Sequence, residues 1–143
     1  MSSDILDIEL PCGLPGGFLY DQILKHQRRA YVDLKAQSVL NITSKAIAYA
    51  GAAEEILKNR NFDLVVLSHA LGVPYAALAC AAIKMKIPVV VLYGDFGVSR
   101  FMRINRIADL FAYPGRPSCS EMDGMQEGVR KQLTKQGAKY LQA

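Results

Sequence analysis

Apolar and polar residues alternate from Asp4 to Leu10, with Leu6, Ile8 and Leu10 on one side and Asp7 and Glu9 on the other, as in a half-buried strand. The run Pro11-Cys-Gly-Leu-Pro-Gly-Gly17 interrupts both helix and strand and predicts a loop. A short helix is expected from Phe18 to about Tyr31. A longer one is expected from about Lys35 to Asn59, where Val39, Ile42, Ala46, Ala50, Ala53 and Leu57 share one helical face.

The clearest pattern lies in the middle of the chain. Phe62-Asp-Leu-Val-Val-Leu-Ser68 and Ile87-Pro-Val-Val-Val-Leu-Tyr93 flank a helical segment from about Pro74 to Lys84. Both runs are short, valine-rich and nearly continuous, which predicts adjacent parallel strands covered on two faces. Pro74 suits a first helical turn, and Pro88 suits the start of a strand. No regular element is expected from Gly94 to Pro117. Ser118 and Glu121 have capping-box spacing, and Met122, Met125, Val129, Leu133 and Tyr140 recur at helical intervals, so residues 118–143 read as a terminal helix.

These elements predict an α/β fold, Rossmann-like, with a small, mostly parallel sheet and flanking helices. A chain of 143 residues suits one domain or partial domain, with a strand and loop in residues 1–17. Apolar residues at 51% and charged residues at 21% exclude a disordered chain. Cys12, Cys80 and Cys119 are odd in number and form no Cys-x-x-Cys pair, so neither a disulfide framework nor a zinc site is indicated. No run approaches the roughly 18 apolar residues of a membrane span, and acidic residues near the amino terminus do not suit a leader peptide. A cytoplasmic location follows as the expectation, either free or peripheral at the inner face of the membrane. The net charge of +4 is spread along the chain and matches no nucleic-acid-binding motif.

Two parallel strands joined by a helix open their carboxyl ends onto one sheet edge, where open α/β folds bind ligands. That places Ser68 and His69 beside Tyr93, Gly94 and Asp95. His69 is a candidate general base, because imidazole titrates near neutral pH, or a histidine that hydrogen-bonds the following loop. Asp95 either orients that histidine, binds a hydroxyl, or caps the segment after Gly94. Gly72 precedes a helix whose first amides suit a phosphate. Arg100, Arg103 and Arg106 recur every third residue and would converge on an anion if helical, or form a solvated face. Tyr20 and Asp21 would start the first helix, where the helix dipole favours a carboxylate. His26 reads as a surface residue. Neither a Gly-x-Gly-x-x-Gly nor a Walker A sequence is present, there is no Gly-x-Ser-x-Gly, and no second histidine stands at metal spacing from His69.

The segments Gly17-Phe-Leu-Tyr-Asp21, Val66-Leu-Ser-His69, Tyr75, and Pro88-Val-Val-Val-Leu-Tyr-Gly-Asp95 resemble the amino-terminal half of bacterial capsule and surface-polysaccharide glycosyltransferase-like proteins of the GT-B type. The resemblance runs from Leu14 to Pro117. It implies that Tyr20, Asp21, Ser68 and His69 face a cleft between two Rossmann-like domains. The family often has an arginine after the Tyr-Asp pair, where this chain has Lys25, which keeps the charge without the planar fork.

Transfer of a sugar from a nucleotide-sugar donor to a surface-glycan acceptor is the implied reaction, with this chain as the acceptor-side half. His69 and Asp95 would act in catalysis, and Tyr20, Asp21, Ser68, Tyr75, Gly94 and Arg100 in substrate binding. No metal or cofactor beyond the donor substrate is implied. The segment after Pro117 is too short for a second Rossmann-like domain, so an incomplete enzyme needing a complementary domain, or a homodimer, is expected. The alternative is a noncatalytic binding or assembly module.

Overall fold

The computed structural model describes residues 3–95, 98–112 and 123–141. They fall into two units, Met1–Ala112 and Tyr113–Ala143. The first unit opens with a one-turn helix, α1 (Ser3–Leu6), and a two-residue strand, β1 (Glu9–Leu10), in place of the single strand expected over Asp4 to Leu10. A tight reversal at Pro11–Gly13 cuts that strand short: Cys12 and Gly13 both have positive φ, at 60° and 80°. The chain returns as β2 (Leu14–Pro15), antiparallel to β1, and the register pair Leu10 and Leu14 is buried.

Helix α2 (Gly16–Gln27) therefore begins inside the expected loop. Glycine is required at its first position because the helix abuts α1. The Gly16 N–H donates to the Ile8 carbonyl at 2.8 Å, and a Cβ on Gly16 would stand 1.8 Å from the Ile5 carbonyl oxygen. Arg28 ends the helix in a left-handed conformation (φ 51°), so Tyr31 lies beyond it. Phe18, Leu19 and Ile23 form its buried face.

Helix α3 (Gln37–Lys58) buries Ala46, Ala50, Ala53 and Leu57, at the helical spacing of an inward stripe. Strand β3 (Val65–Leu67) leads to α4 (Val73–Lys84), whose Ala76, Ala77, Ala79, Cys80, Ala81 and Ala82 are all buried. With alanines facing alanines, α3 and α4 can approach closely. Helix α4 occupies the centre of the unit and touches α2, α3, the Pro11–Gly13 reversal, β3 and β4 (Val89–Asp95).

The two valine-rich runs pair in parallel as expected, with Val65 opposite Val89 and Leu67 opposite Val91. The rest of the sheet corrects the sequence reading. β5 (Val98–Ile104) occupies part of the segment from Gly94 to Pro117 that was expected to be irregular, and pairs antiparallel with β4 along its whole length. Asp95 and Val98 are register partners with two residues between them, and so short a connection joins only antiparallel strands. The sheet is three-stranded, β3-β4-β5, with one parallel and one antiparallel pairing. It is also covered on one face: Val65, Leu67, Val89, Val91 and Ile104 are buried, whereas Val66 is 51% and Phe101 73% exposed. A helical unit with two small sheets, one antiparallel and one mixed, replaces the Rossmann-like, mostly parallel sheet. A short 3-10 turn at Ile107–Phe111 buries Leu110 and stacks Phe111 on Phe18 with centroids 4.8 Å apart.

The second unit contains α5 (Glu127–Leu141), held along its length by a Glu127–Lys131 ion pair of 2.7 Å and a Thr134 hydroxyl donating to the Arg130 carbonyl. The capping pair Ser118 and Glu121 lies outside the described residues. Among the described residues no helix is long and apolar enough to cross a membrane.

Candidate functional site

Residues of helices α2 and α3, together with Val73 and Pro74 of α4, line a cleft of about 450 Å³. The α3 wall follows from helical periodicity. Its apolar stripe turns to the core, and beside it Gln37, Asn41, Lys45 and Tyr49 recur every fourth residue along one line, with Ser38, Ile42 and Ala46 next to them. Helix α2 contributes Gln22 and His26, one turn apart. The rim is pinned by Gln27. Its amide oxygen accepts from the Asp33 N–H at 2.8 Å, and its NH2 group donates to the Asp33 carbonyl at 3.0 Å and to the Ser38 hydroxyl at 3.5 Å.

The lining combines three side-chain amides, a hydroxyl, a phenol, an imidazole and an ammonium, with Ile42, Ala46, Val73 and Pro74 as an apolar floor. Amides donate and accept at once, as a polyhydroxylated ligand requires, and the tyrosine offers an apolar face with a polar tip. Among the described residues no carboxylate lines the cleft.

A second cluster forms at the β3–α4 turn. The Ser68 hydroxyl lies 3.0 Å from His69 Nδ1, and the His69 ring packs against Tyr75 with centroids 4.1 Å apart. Ala70, fully buried, anchors this turn, and Gly72 (φ 88°) supplies the positive φ from which α4 starts. Where Nδ1–H donates to Ser68, Nε2 is left as an acceptor able to take a proton; where Ser68 donates, Nε2 carries the hydrogen. Ser68, His69 and Tyr75 are thus brought together.

The other expected site residues are placed differently. Tyr20 and Asp21 belong to the second turn of α2, because the helix starts at Gly16, so the helix-start stabilisation expected for Asp21 does not apply. Asp21 and Lys25 are exposed. Gly94 and Asp95 end β4 in register with Ser99 and Val98, inside an antiparallel ladder rather than at an open strand end. Arg100 pairs with Tyr93 and Arg103 with Val90 in β5, so the strand's two-residue period puts these arginines on opposite faces. Arg106 is bonded to Asp109 at 3.0 Å, which holds the Asp109 carboxyl below its ordinary range. The expected arginine row does not form.

Of the expected site residues, Tyr20, Asp21, Ser68, His69, Tyr75 and Arg100 do not line the cleft. His26, read as a surface residue, is exposed and lines it. The i, i+4 series Gln37, Asn41, Lys45, Tyr49 was the available sequence signal, a polar line flanking an apolar one on a long helix.

Cys12 and Cys80 are buried free thiols. Burial is the main cause that pushes both upward, Cys80 to about 12, so each stays a neutral thiol rather than a nucleophile. Among the described residues no three His, Cys, Asp or Glu side chains converge as a metal site. No family model matches the chain, and no curated protein or solved structure shows significant similarity to it.

Proposed function

We propose that the chain binds a hydroxyl-rich glycan group in the α2–α3 cleft, as an acceptor-side module in surface-polysaccharide glycosyl transfer. The observation that carries this reading is the cleft lining: Gln22, Gln37, Ser38, Asn41 and Tyr49 converge on a volume of about 450 Å³ above an apolar floor. The resemblance of the Gly17–Asp21, Val66–His69 and Pro88–Asp95 segments to glycosyltransferase-like proteins supplies the setting. A GT-B interdomain cleft forms no part of the proposal. The site belongs to the helices of the first unit, and a nucleotide-sugar donor would be held by a complementary domain or partner.

Amide resonances mapped during titration with a panel of mono- and oligosaccharides test this reading. The expected shifts fall on α2 and α3 around Gln22, Gln37 and Asn41. Asn41→Ala should weaken binding by about fivefold to tenfold, the loss of a hydrogen bond of about 1 kcal/mol or slightly more. Shifts confined to other surfaces, or none with any saccharide, would refute it.

A second reading gives the module a chemical role, and the Ser68–His69 contact favours it. In the tautomer whose Nδ1–H donates to Ser68, Nε2 of His69 is the nitrogen left to accept an acceptor hydroxyl's proton. In a transfer assay with the complementary domain supplied, His69→Ala should lower kcat and leave acceptor binding intact. Equal turnover by the variant returns His69 to the role of holding the β3–α4 turn.

A further inference from the structure

We infer that the cleft is selective for an anionic sugar, one bearing a carboxylate or phosphate, with Lys45 as its charged contact and His26 as a polar ring beside it. The inference rests on the cleft being the glycan site and adds the charge of the ligand.

Lys45 stands in the middle of the α3 wall, between Asn41 and Tyr49, and His26 faces the same volume from α2. Both are exposed, and among the described residues no carboxylate joins them in the lining. Lys45 takes part in no ion pair among the described residues. The positions three and four residues away on its helix are Asn41, Ile42, Ala48 and Tyr49, so no intrahelical carboxylate can neutralise it. The first acid along α3 is Glu54, nine residues on and roughly 13 Å along the axis, beyond a Debye length of about 8–10 Å. Glu54 is in any case engaged by Lys58 and Lys84. Asp33, near the rim, is held by Arg29 at 3.2 Å.

A single exposed lysine on a convex surface would select nothing. Here Lys45 lines a cleft between Asn41 and Tyr49, whose side chains are able to donate hydrogen bonds. Gln37, Asn41 and Gln22 present amide NH2 groups, and an oxyanion accepts from several such donors at once. The surplus of cationic and donor groups over carboxylates gives the cleft a sign as well as a shape. A neutral sugar satisfies the amides and leaves Lys45 solvated. An acidic sugar satisfies both.

The experiment compares glucose, glucuronate and glucose 1-phosphate by calorimetry and by amide shifts on the intact chain. At least one of the two anions should bind about tenfold or more tightly than glucose, and added salt should erode the difference. Binding favoured for glucuronate alone identifies a carboxylate ligand, for glucose 1-phosphate alone a phosphate ligand, and for both a general oxyanion site. Lys45→Gln should abolish the preference, bringing the anions to the affinity the same variant has for glucose, and Lys45→Arg should keep it; Lys45 is exposed, so circular dichroism should show both variants folded. Equal affinity for glucose and both anions, or an anion preference that survives Lys45→Gln, overturns the charge assignment and leaves the glycan reading standing. Absence of any saccharide-induced shift on α2 and α3 overturns both.

Discussion

The buried thiol of Cys80 makes the stability of the first unit sensitive to alkaline pH. Its side chain is fully buried in α4, and removing it from water is the largest cause that raises its pKa from 9.0 to about 12, with the nearby Cys12 and Glu9 adding to the effect. A thiol whose folded pKa lies above its unfolded one binds its proton more tightly in the folded state. It contributes stability that is fully present below pH 9.0 and is lost as pH rises toward about 12. At 1.36 kcal/mol per unit, the loss across that window is about 4 kcal/mol, a large part of the stability of a domain this size.

Urea unfolding followed by circular dichroism at intervals from neutral pH upward measures this slope in the wild type and in Cys80→Ala. Tyrosines and lysines titrate in the same range in both proteins, so the difference between the two curves isolates the thiol. The variant should begin less stable at neutral pH, because a buried sulfur is lost from the core, and should then lose less stability as pH rises. The curves should converge, and cross if the linkage exceeds the packing loss. Parallel curves would refute the assignment of Cys80 as a proton-linked core residue.

Two other outcomes follow from the packing. Gly16→Ala should destabilise the first unit by roughly 1–3 kcal/mol, because its Cβ meets the Ile5 backbone carbonyl and not a side chain that can turn away; amide exchange should show α1 released first, and an unchanged melting temperature would contradict the α1–α2 contact. Glu54 accepts a 3.1 Å hydrogen bond from Lys84 and also pairs with Lys58, and these partners hold its carboxyl below the ordinary range. Glu54→Gln should lower stability at neutral pH, and the difference should begin to shrink as pH falls through the ordinary carboxylate range and vanish only once the lowered carboxyl of the folded state is protonated as well; a pH-independent difference would mean that Glu54 acts through packing alone.

Helix α3 was legible because Val39 to Leu57 form a long one-sided stripe at helical spacing, whereas α4, buried on all sides at Ala79 to Ala82, was legible from Pro74 and from its place between two valine-rich runs. The predicted ends at Lys35, Asn59, Pro74 and Lys84 lie within two residues of those observed. The parallel pair β3–β4 was legible for a related reason, since a helix joins two valine-rich runs and so returns the chain in the same direction. What these runs do not report is coverage. Val66 and Val90 belong to unbroken apolar runs, yet they lie on the outer side of the sheet, and Val66 is half exposed. An apolar run shows that a strand forms easily; it does not show that both of its faces are buried.

The reading of the β4 end as an open edge has the same origin. In β5 the side that shares the sheet's buried face carries Arg100, Met102 and Ile104, and the outer side carries Phe101 and Arg103, so each face mixes polar and apolar residues and the two-residue period disappears from the sequence. Without β5, the end of β4 reads as an open edge, and Gly94 and Asp95 read as ligands on it. With β5 in place, that edge is paired backbone, and the concave polar surface lies instead where two helices part. Such a surface leaves a faint trace. A polar residue every fourth position is also what an ordinary solvated helix face looks like, and Gln37, Asn41 and Lys45 differ from it only by having α2 opposite them. That proximity depends on the left-handed turn at Arg28 and on Gln27 holding the Asp33 backbone, two contacts specified by single residues rather than by any periodicity.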